Sequence, residues 1–506
     1  MTYSELTVCT LHVQVNLDGH ALPIKKLKGT EPVESLDLSN KLLGVASAIV
    51  IASLIGVNGA LTSVDLRGNQ LRDEGWGAIF AAICGNKDSK IIAMNASSEN
   101  ISPAGVKLIA EALRTSVAGA LMVTNLQGNN LDAESAKMLA EGAKRKGIPL
   151  CGIQRDQTTA DFSNQNLKLP DAILLASDLS QAVVTGGLTS IDLRGNQLCG
   201  IWNDGSGTQR GTYTAEGIIA IANALRVHGA LTSVDLRGNL LGDEGCGAIF
   251  AAICGNKDSK IMSLDASSEN IGPAGVKLIA EALRTSVTGA LTSVDLSGNL
   301  LTNHGRDMTG IKELAAALGV NGGLTALKLS FNSLKDEGVG AICEAIKSNK
   351  ETRLASLNFE NNGIGPVGAN SMAAMVAVTG GLTELSIFWN NVRDEGVDAI
   401  CEAIKSNKET KLASLNFGNN IIGPVGANTV ATMVAVTGSL TQVLTLRPPS
   451  AFPVTLTLTN VFNVLNVYRS WTSQATGCAG SIVVGAELTL QRGSQRLPTL
   501  CASIAG

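Results

Sequence analysis

The chain has 506 residues, of which 45% are hydrophobic, 3% aromatic and 16% charged, with a formal net charge of −4. This hydrophobic content excludes a wholly disordered chain, and the lack of net basic charge argues against a nucleic-acid-binding protein. With so few aromatic rings, the core has to be filled by leucine, isoleucine, valine and alanine, which suits many small repeated layers better than a few large irregular cores.

The first 30 residues carry no repeat and are predicted to form an N-terminal segment or cap. They lack a basic stretch followed by an apolar core, so we do not expect a secretory signal peptide. The uncharged run at residues 42–57 is shorter than the ~20 residues that a membrane-spanning helix needs. Because every later repeat has a helix at this place, we predict a helix of the first repeat and no membrane association.

Self-similarity dominates residues 31–445. Residues 60–120 and 230–290 are nearly the same sequence, and residues 334–383 resemble residues 392–441 in the same way. The elementary unit of about 28–30 residues carries the pattern L-x-x-L-x-L-x-x-N-x-L, and about thirteen copies can be aligned. The chain is therefore predicted to be one long array of repeats.

Each unit combines two kinds of periodicity. Apolar and polar residues alternate around the second and third leucines, which predicts a short strand. After the turn, apolar residues follow helical spacing, for example at Val339, Ile342, Cys343 and Ile346. The unit is thus a strand followed by a helix, and the fold class is α/β.

A strand and a helix within about 28–30 residues, with DEG-type and GPxG-type units in alternation, resembles the ribonuclease-inhibitor-like leucine-rich repeat proteins. This subfamily also includes the Ran GTPase-activating proteins and the repeats of NOD-like receptors. The resemblance covers about residues 31–445. It implies a leucine-rich repeat solenoid, a horseshoe with parallel strands on the concave face and helices on the convex face.

Three segments break the pattern. Residues 138–157 are interpreted as a normal helix lengthened by a few residues. Residues 199–215 are interpreted as a flexible, glycine-rich loop insertion that carries Trp202 and Tyr213. The tail at residues 446–506 has no repeat spacing, and a β-rich cap, a poorly ordered segment and an artefact of gene prediction all remain open.

The cysteines and histidines predict neither a metal site nor catalysis. Four cysteines recur at one position of the repeat helices: Cys84, Cys254, Cys343 and Cys401. Buried, reduced thiols at these positions would place the protein in the cytoplasm or the nucleus. His228 and His304 fall in repeat loops and are expected at the surface. Without metal-ligand spacing, a catalytic motif or a phosphate-binding loop, we predict no enzyme, no metal and no cofactor.

An asparagine follows most of the strands, at the turn: Asn69, Asn129, Asn196, Asn239, Asn299, Asn332, Asn362, Asn390 and Asn420. A buried amide there can bond the backbone groups of neighbouring turns, so we predict a structural role. Two units have Glu99 and Glu269 at this place, which makes their turns less certain.

The polar strand side chain between two inward residues should face solvent on the concave side. This column is rich in aspartate, and in three units an arginine follows two positions later. The candidate partner-binding residues of this aspartate column are Asp65, Arg67, Asp192, Arg194, Asp235, Arg237, Asp265 and Asp295. Two interpretations stay open, a polar groove for a basic protein surface and a solvated face whose charges are compensated locally.

One unit departs from the column. Phe388 stands where other copies carry arginine, serine or glutamate, and Trp389 follows at the turn. In a chain with 3% aromatic residues, such a pair is typical of a binding hot spot. The alternative is that both rings pack against the C-terminal tail.

The predicted function is a non-catalytic, monomeric scaffold that binds a partner protein on the concave face. A preformed surface loses little conformational entropy on binding, which is the common advantage of solenoids. The resemblance implies two alternatives, a GTPase-activating regulator of a small Ran-like GTPase and a regulatory leucine-rich repeat protein of the innate-immune or cytoskeletal type.

Overall fold

The computed structural model describes residues 15–117, 121–204, 206, 208–287, 289–444, 491–492 and 495–496. The chain divides into two compact units. The first unit comprises residues 1–191 and 195–230, and the second comprises residues 192–194 and 231–506.

The first unit opens with a small N-terminal subdomain. Strands β1 (Val15–Leu17) and β2 (His20–Leu22) form an antiparallel hairpin, and helix α1 (Ile24–Lys28) follows. The side-chain amide of Asn58, which lies beyond the first repeat helix, donates hydrogen bonds to the carbonyl oxygens of Lys26 and Leu27 at 3.0 and 2.9 Å. These bonds fix the end of α1 against the first repeat.

Strands and helices then alternate through the rest of the first unit. In chain order they are β3 (Ser35–Asp37), α2 (Val45–Ile55), β4 (Ser63–Asp65), α3 (Arg72–Gly85), β5 (Ala93–Asn95), α4 (Pro103–Thr115), β6 (Val123–Asn125), α5 (Ala133–Lys144), β7 (Thr159–Asp161), α6 (Leu169–Leu179), α7 (Ala182–Thr185), β8 (Ser190–Asp192), β9 (Ile201–Asn203), β10 (Gln209–Gly211) and α8 (Glu216–Leu225). Helix α2 coincides with the uncharged run of the sequence.

The second unit continues the alternation. Its elements are β11 (Ser233–Asp235), α9 (Gly242–Gly255), β12 (Ser263–Asp265), α10 (Pro273–Arg284), β13 (Ser293–Asp295), α11 (Thr309–Leu318), β14 (Ala326–Lys328), α12 (Lys335–Ser348), β15 (Ser356–Asn358), α13 (Pro366–Val376), β16 (Glu384–Ser386), α14 (Arg393–Ser406), β17 (Ser414–Asn416), α15 (Pro424–Val436) and β18 (Gln442–Leu444). Two further strands pair with each other, β19 (Gln491–Arg492) and β20 (Gln495–Arg496).

The repeat strands are parallel and pair in chain order. Strands β3 to β6 form one sheet in the first unit, and β12 to β18 form a seven-stranded sheet in the second. In most repeat strands the middle residue is buried in the core, as Leu264 and Leu357 are, and the residues on either side are half-buried or exposed. The predicted α/β leucine-rich repeat solenoid is therefore confirmed.

The core is aliphatic, as the composition predicts. Its buried aromatic side chains include Trp76, Phe80, Phe250, Phe359 and Phe417. Every cysteine in the described part of the chain is a buried free thiol, including the four that recur in the repeat helices. No helix in that part is both long enough and apolar enough to cross a membrane.

The expectation of a surface position for His228 is wrong. His228 occupies the place that Asn58 has in an earlier repeat, and both side chains are buried. The Nδ1 atom accepts a hydrogen bond from the Ala230 backbone at 3.4 Å, much as Asn58 Oδ1 accepts from the corresponding Ala60. The Nε2 atom lies 3.1 Å from the Thr185 carbonyl oxygen, so this tautomer donates there. Burial lowers the pKa of His228 and keeps the ring neutral.

Residues 138–157 do not form a lengthened helix. Helix α5 ends at Lys144, and a loop follows in which Gly147 and Gly152 adopt positive φ angles of 64° and 76°. Cys151 in this loop makes an antiparallel bridge to Asn125. The fully buried Asp178 accepts hydrogen bonds from the backbone of Leu150 and Cys151 at 2.9 Å, which fixes the loop.

The insertion at residues 199–215 is also more regular than expected. Strands β9 and β10 pair as an antiparallel hairpin, and Arg210 Nε lies 2.9 Å from Asp204 Oδ2. Hydrogen bonds from Ser206 and Arg210 lower the pKa of Asp204 to about 2. Trp202 packs over Gly211, where an added Cβ would lie 2.7 Å from the indole. A polar, glycine-rich composition was therefore compatible with strand pairing.

Candidate functional site

The asparagines that follow the strands join neighbouring turns, as predicted. Asn362 Oδ1 accepts hydrogen bonds from the backbone of Asn332 and Leu334 at 3.0 and 3.2 Å. Its amide nitrogen donates to the Leu329 and Glu360 carbonyl oxygens at 2.9 and 3.0 Å. The side chain is 1% exposed. Asn362 therefore belongs to the fold and leaves no group for a ligand.

Glutamate takes over part of this role in two repeats. Glu269 is fully buried and accepts hydrogen bonds from the backbone of Gly238 and Leu241 at 2.5 and 2.9 Å. Burial raises the pKa of Glu269 to about 7. The half-buried Glu99 accepts a hydrogen bond from Gly68 in the same way, and burial raises its pKa as well.

The aspartate column has a local structural task. Asp65 Oδ1 accepts a hydrogen bond from the backbone of Arg67 at 3.0 Å, which closes the turn after the strand. Asp265 and Asp295 accept the same bond from Ser267 and Ser297 at 3.0 and 2.9 Å. Asparagine side chains do this equally well in other repeats, so turn formation alone accounts for an aspartate or asparagine here.

The arginines of the column are bound to its carboxylates. In the first unit, Arg67 Nη2 lies 2.6 Å from Asp65 Oδ2. In the second unit, positive and negative side chains alternate across the strands. Arg194 pairs with Asp192 at 2.6 Å and with Asp235 at 3.2 Å, and Arg237 pairs with Asp235 at 2.6 Å and with Asp265 at 3.7 Å. Lys328 pairs with Asp295 at 3.2 Å. The geometry favours local charge compensation over an open anionic groove.

We expect the Arg237→Gln substitution to change the free energy of unfolding by no more than about 1 kcal/mol, because its ion pairs are solvated. The Arg237 side chain is 43% exposed. Urea titration of the variant measures the change. Arg284→Gln, which removes a similarly exposed helix arginine, is the matched control. A loss specific to Arg237 and well above this size would show that the charges hold the strands together.

The aromatic pair predicted at the turn is part of a larger group. Trp389 is 50% exposed, and Phe388 is half-buried. Phe331, which sequence reasoning missed, is 48% exposed and meets Trp389 edge-on, with ring centroids 6.5 Å apart and an interplanar angle of 84°. Phe388 meets Trp389 at 6.3 Å and 68°. We call Phe331, Phe388 and Trp389 the aromatic cluster.

Two members of the cluster adopt an unfavourable backbone conformation. Phe331 and Trp389 have φ angles of 58° and 57°, in the left-handed region. The equivalent turn position holds a small or polar residue elsewhere, including Gly68, Ser98, Gly128, Asn164, Gly195, Gly238, Ser268, Gly298, Asn361 and Asn419. Bulky side chains in this conformation cost roughly 1–2 kcal/mol. The turn conformation itself therefore does not call for a ring at these two positions.

The third ring supports the other two. Phe388 covers Gly418 of the next repeat, where an added Cβ would lie 2.8 Å from Phe388 Cδ2. The backbone of Trp389 donates a hydrogen bond to the Gly418 carbonyl oxygen at 2.9 Å. The cluster is thus held on the turns of two regular repeats, with two of its rings half-exposed.

Comparison with known proteins is consistent with the repeat architecture. The family described as Leucine Rich repeat matches residues 60–80, 231–250, 324–343 and 382–401. The chain is 25% identical over 398 residues to ribonuclease inhibitor of Mus musculus, covering 78% of each protein. Both matches support a leucine-rich repeat protein that is similar to ribonuclease inhibitor. The aromatic cluster of this leucine-rich repeat protein lies within two of the matched segments, so the rings are substitutions in regular repeats.

Other relatives are longer or more distant. NACHT, LRR and PYD domains-containing protein 5 of Homo sapiens is 26% identical over 295 residues, which are 58% of this chain and 22% of that protein. The leucine-rich repeat chain thus spans about a fifth of that relative. Among solved structures, an internalin from Listeria monocytogenes is 14% identical with a TM-score of 0.33, covering 78% of this chain and 89% of that chain.

Proposed function

We propose that this leucine-rich repeat protein is a non-catalytic scaffold that binds a partner protein at the strand face of its second unit, with the aromatic cluster as the anchor. The observation that carries the proposal is the pair of half-exposed rings, Phe331 and Trp389, in a backbone conformation that favours glycine or asparagine. Residues in a costly backbone conformation cluster at binding sites.

The chemistry of the cluster suits a protein interface. Tryptophan and other large aromatic side chains supply much of the binding energy at interface hot spots, because they bury a large area and lose few rotamers. Phe388 and the turn hydrogen bonds hold the rings before binding, which lowers the entropic cost of association. The charges of the aspartate column, which pair with one another, would then form a polar rim around this anchor.

The relatives support a binding role at a coarse level. The mouse relative carries the name ribonuclease inhibitor, and its partner is therefore itself a protein. The chain shares the repeat type along 78% of that relative.

The most informative variant is the double substitution Phe331→Asn and Trp389→Asn. It places at both turns the asparagine that Asn361 and Asn419 provide at the same position of other repeats. We expect it to lower the affinity for the partner at least about tenfold, in line with the loss of two hot-spot residues. We also expect its melting temperature to stay the same or rise, because the left-handed strain is relieved. Quantitative capture on the immobilised full chain and differential scanning fluorimetry give the two readouts.

The matched control is Asn361→Ser with Asn419→Ser, which changes the same turn position in the flanking repeats to the residue found at Ser98 and Ser268. It should leave capture unchanged. Capture that survives the loss of both rings would refute the proposal. A clear fall in melting temperature would instead favour packing against the tail at residues 446–506, which lie almost wholly outside the described part of the chain.

A further inference from the structure

A carboxylate stands beside the aromatic cluster. Glu360 and Phe388 occupy equivalent positions two residues after the adjacent strands β15 and β16, and paired strands lie ~4.8 Å apart. Glu360 follows β15, whose repeat lies between those of Phe331 and Trp389. Its Oε1 atom accepts a hydrogen bond from Ser386 Oγ at 2.7 Å, and the residue is half-buried.

This carboxylate lacks the cation that four aspartates of the column have. Asp192, Asp235, Asp265 and Asp295 each lie within 4.0 Å of an arginine or lysine nitrogen. In the described part of the chain, no such nitrogen lies within that distance of Glu360. Lys328, on the adjacent strand β14, is paired with Asp295 at 3.2 Å. The aromatic cluster therefore adjoins a half-buried carboxylate that no cation of the described residues pairs with.

The cluster presents aromatic surface to solvent. Phe331 and Phe388 meet the Trp389 indole edge-on, at 84° and 68°, and Phe331 and Trp389 remain 48% and 50% exposed. The π faces of aromatic rings attract cations, and tryptophan does so most strongly. A guanidinium group is planar, stacks on such faces and binds a carboxylate through two parallel hydrogen bonds.

We propose that the aromatic cluster and Glu360 bind an arginine side chain of the partner protein, with the guanidinium against the rings and hydrogen-bonded to the Glu360 carboxylate. This inference rests on the proposed scaffold function and names the chemistry of its partner. A purely apolar partner would bury the Glu360 charge without compensation, which is costly. An arginine satisfies the rings and the carboxylate together.

The test uses fluorescein-labelled nona-arginine and nona-lysine peptides, with fluorescence anisotropy on the full chain at physiological salt. We expect nona-arginine to bind at least about fivefold more tightly than nona-lysine, because only guanidinium combines stacking with bidentate bonding. Trp389→Asn and Glu360→Gln should each weaken nona-arginine binding about tenfold and should be non-additive in the double variant.

The charge-matched control is Glu409→Gln, which removes an exposed carboxylate that follows helix α14. It should leave the binding within about twofold, as expected for a solvated charge. An equal effect of Glu409→Gln and Glu360→Gln would reduce the interaction to general electrostatics and overturn the proposal. Equal affinity for the two peptides would overturn it as well. The proposal would also be overturned if no peptide bound and both site variants lost thermal stability, because an internal segment would then cover the rings.

Partner capture separates this proposal from the scaffold function. If the Phe331→Asn and Trp389→Asn double variant loses the partner while Glu360→Gln retains it at full affinity, the scaffold function stands and the arginine site does not. If capture survives in all variants, both proposals fail. Loss in both variants, with retention in Glu409→Gln, supports both.

Discussion

Replacing Asn362 by leucine is expected to lower the free energy of unfolding by about 4 kcal/mol, the largest effect of any single substitution considered. The side chain makes four hydrogen bonds to the backbone of its own and the preceding turn. Leucine has a similar volume but leaves two N–H groups and two carbonyl oxygens without these partners at a buried place. An unsatisfied buried polar group costs about 1–3 kcal/mol. Urea or guanidinium unfolding measures the loss.

The matched control is Asn370→Leu, the same change at an exposed position of helix α13 in the same repeat. Surface substitutions of this kind usually alter stability by less than about 0.5 kcal/mol. A small loss at Asn362, comparable to that at Asn370, would mean that water or relaxed neighbours replace the amide. The hydrogen bonds of the turn asparagines would then be a consequence of the fold and would not stabilise it.

The repeat pattern predicts most of the fold because one physical rule recurs in every unit. Inward leucines, the turn asparagine and the helical spacing after it are set locally, so a single repeat explains its neighbours. The errors lie where a residue depends on another element. His228 looks like a loop residue, yet its position is one that the repeat buries, as Asn58 shows. The loop after α5 depends on Asp178, almost thirty residues further along the chain.

The candidate site was only partly visible in the sequence. Rare aromatic residues identify Phe388 and Trp389, but Phe331 became part of the site only when the structure placed its ring beside Trp389 across the intervening repeat. Alignment of Phe331 with Trp389, each directly before a turn asparagine, could have found it. For the aspartate column, the sequence left a polar groove and a locally compensated face both open, because it does not reveal that each arginine is held by a neighbouring carboxylate.

Stability is expected to fall as the pH rises from about 4 to about 8, through two buried carboxyl groups. Burial raises the pKa of Asp178 from its usual 3.8 to about 7 in the first unit and that of Glu269 from 4.5 to about 7 in the second. A carboxyl group with a raised folded-state pKa gives its full stability below the unfolded pKa and loses it as the pH passes the folded pKa. Each group should therefore cost roughly 3 kcal/mol between pH 4.5 and pH 8, at 1.36 kcal/mol per pKa unit.

Urea unfolding at several pH values between 4.5 and 8 measures the slope, and the Asp178→Asn and Glu269→Gln variants assign it. Each variant should lose stability at pH 5, because a neutral amide accepts fewer of the backbone hydrogen bonds, and should show a flatter pH profile. The duplicated repeat supplies an internal comparison. Glu99 accepts a hydrogen bond from a turn glycine as Glu269 does, but it is only half-buried. Glu99→Gln should flatten the profile less than Glu269→Gln does. An equal effect would mean that the hydrogen bonds to the turn, rather than desolvation, govern the titration of both carboxyl groups.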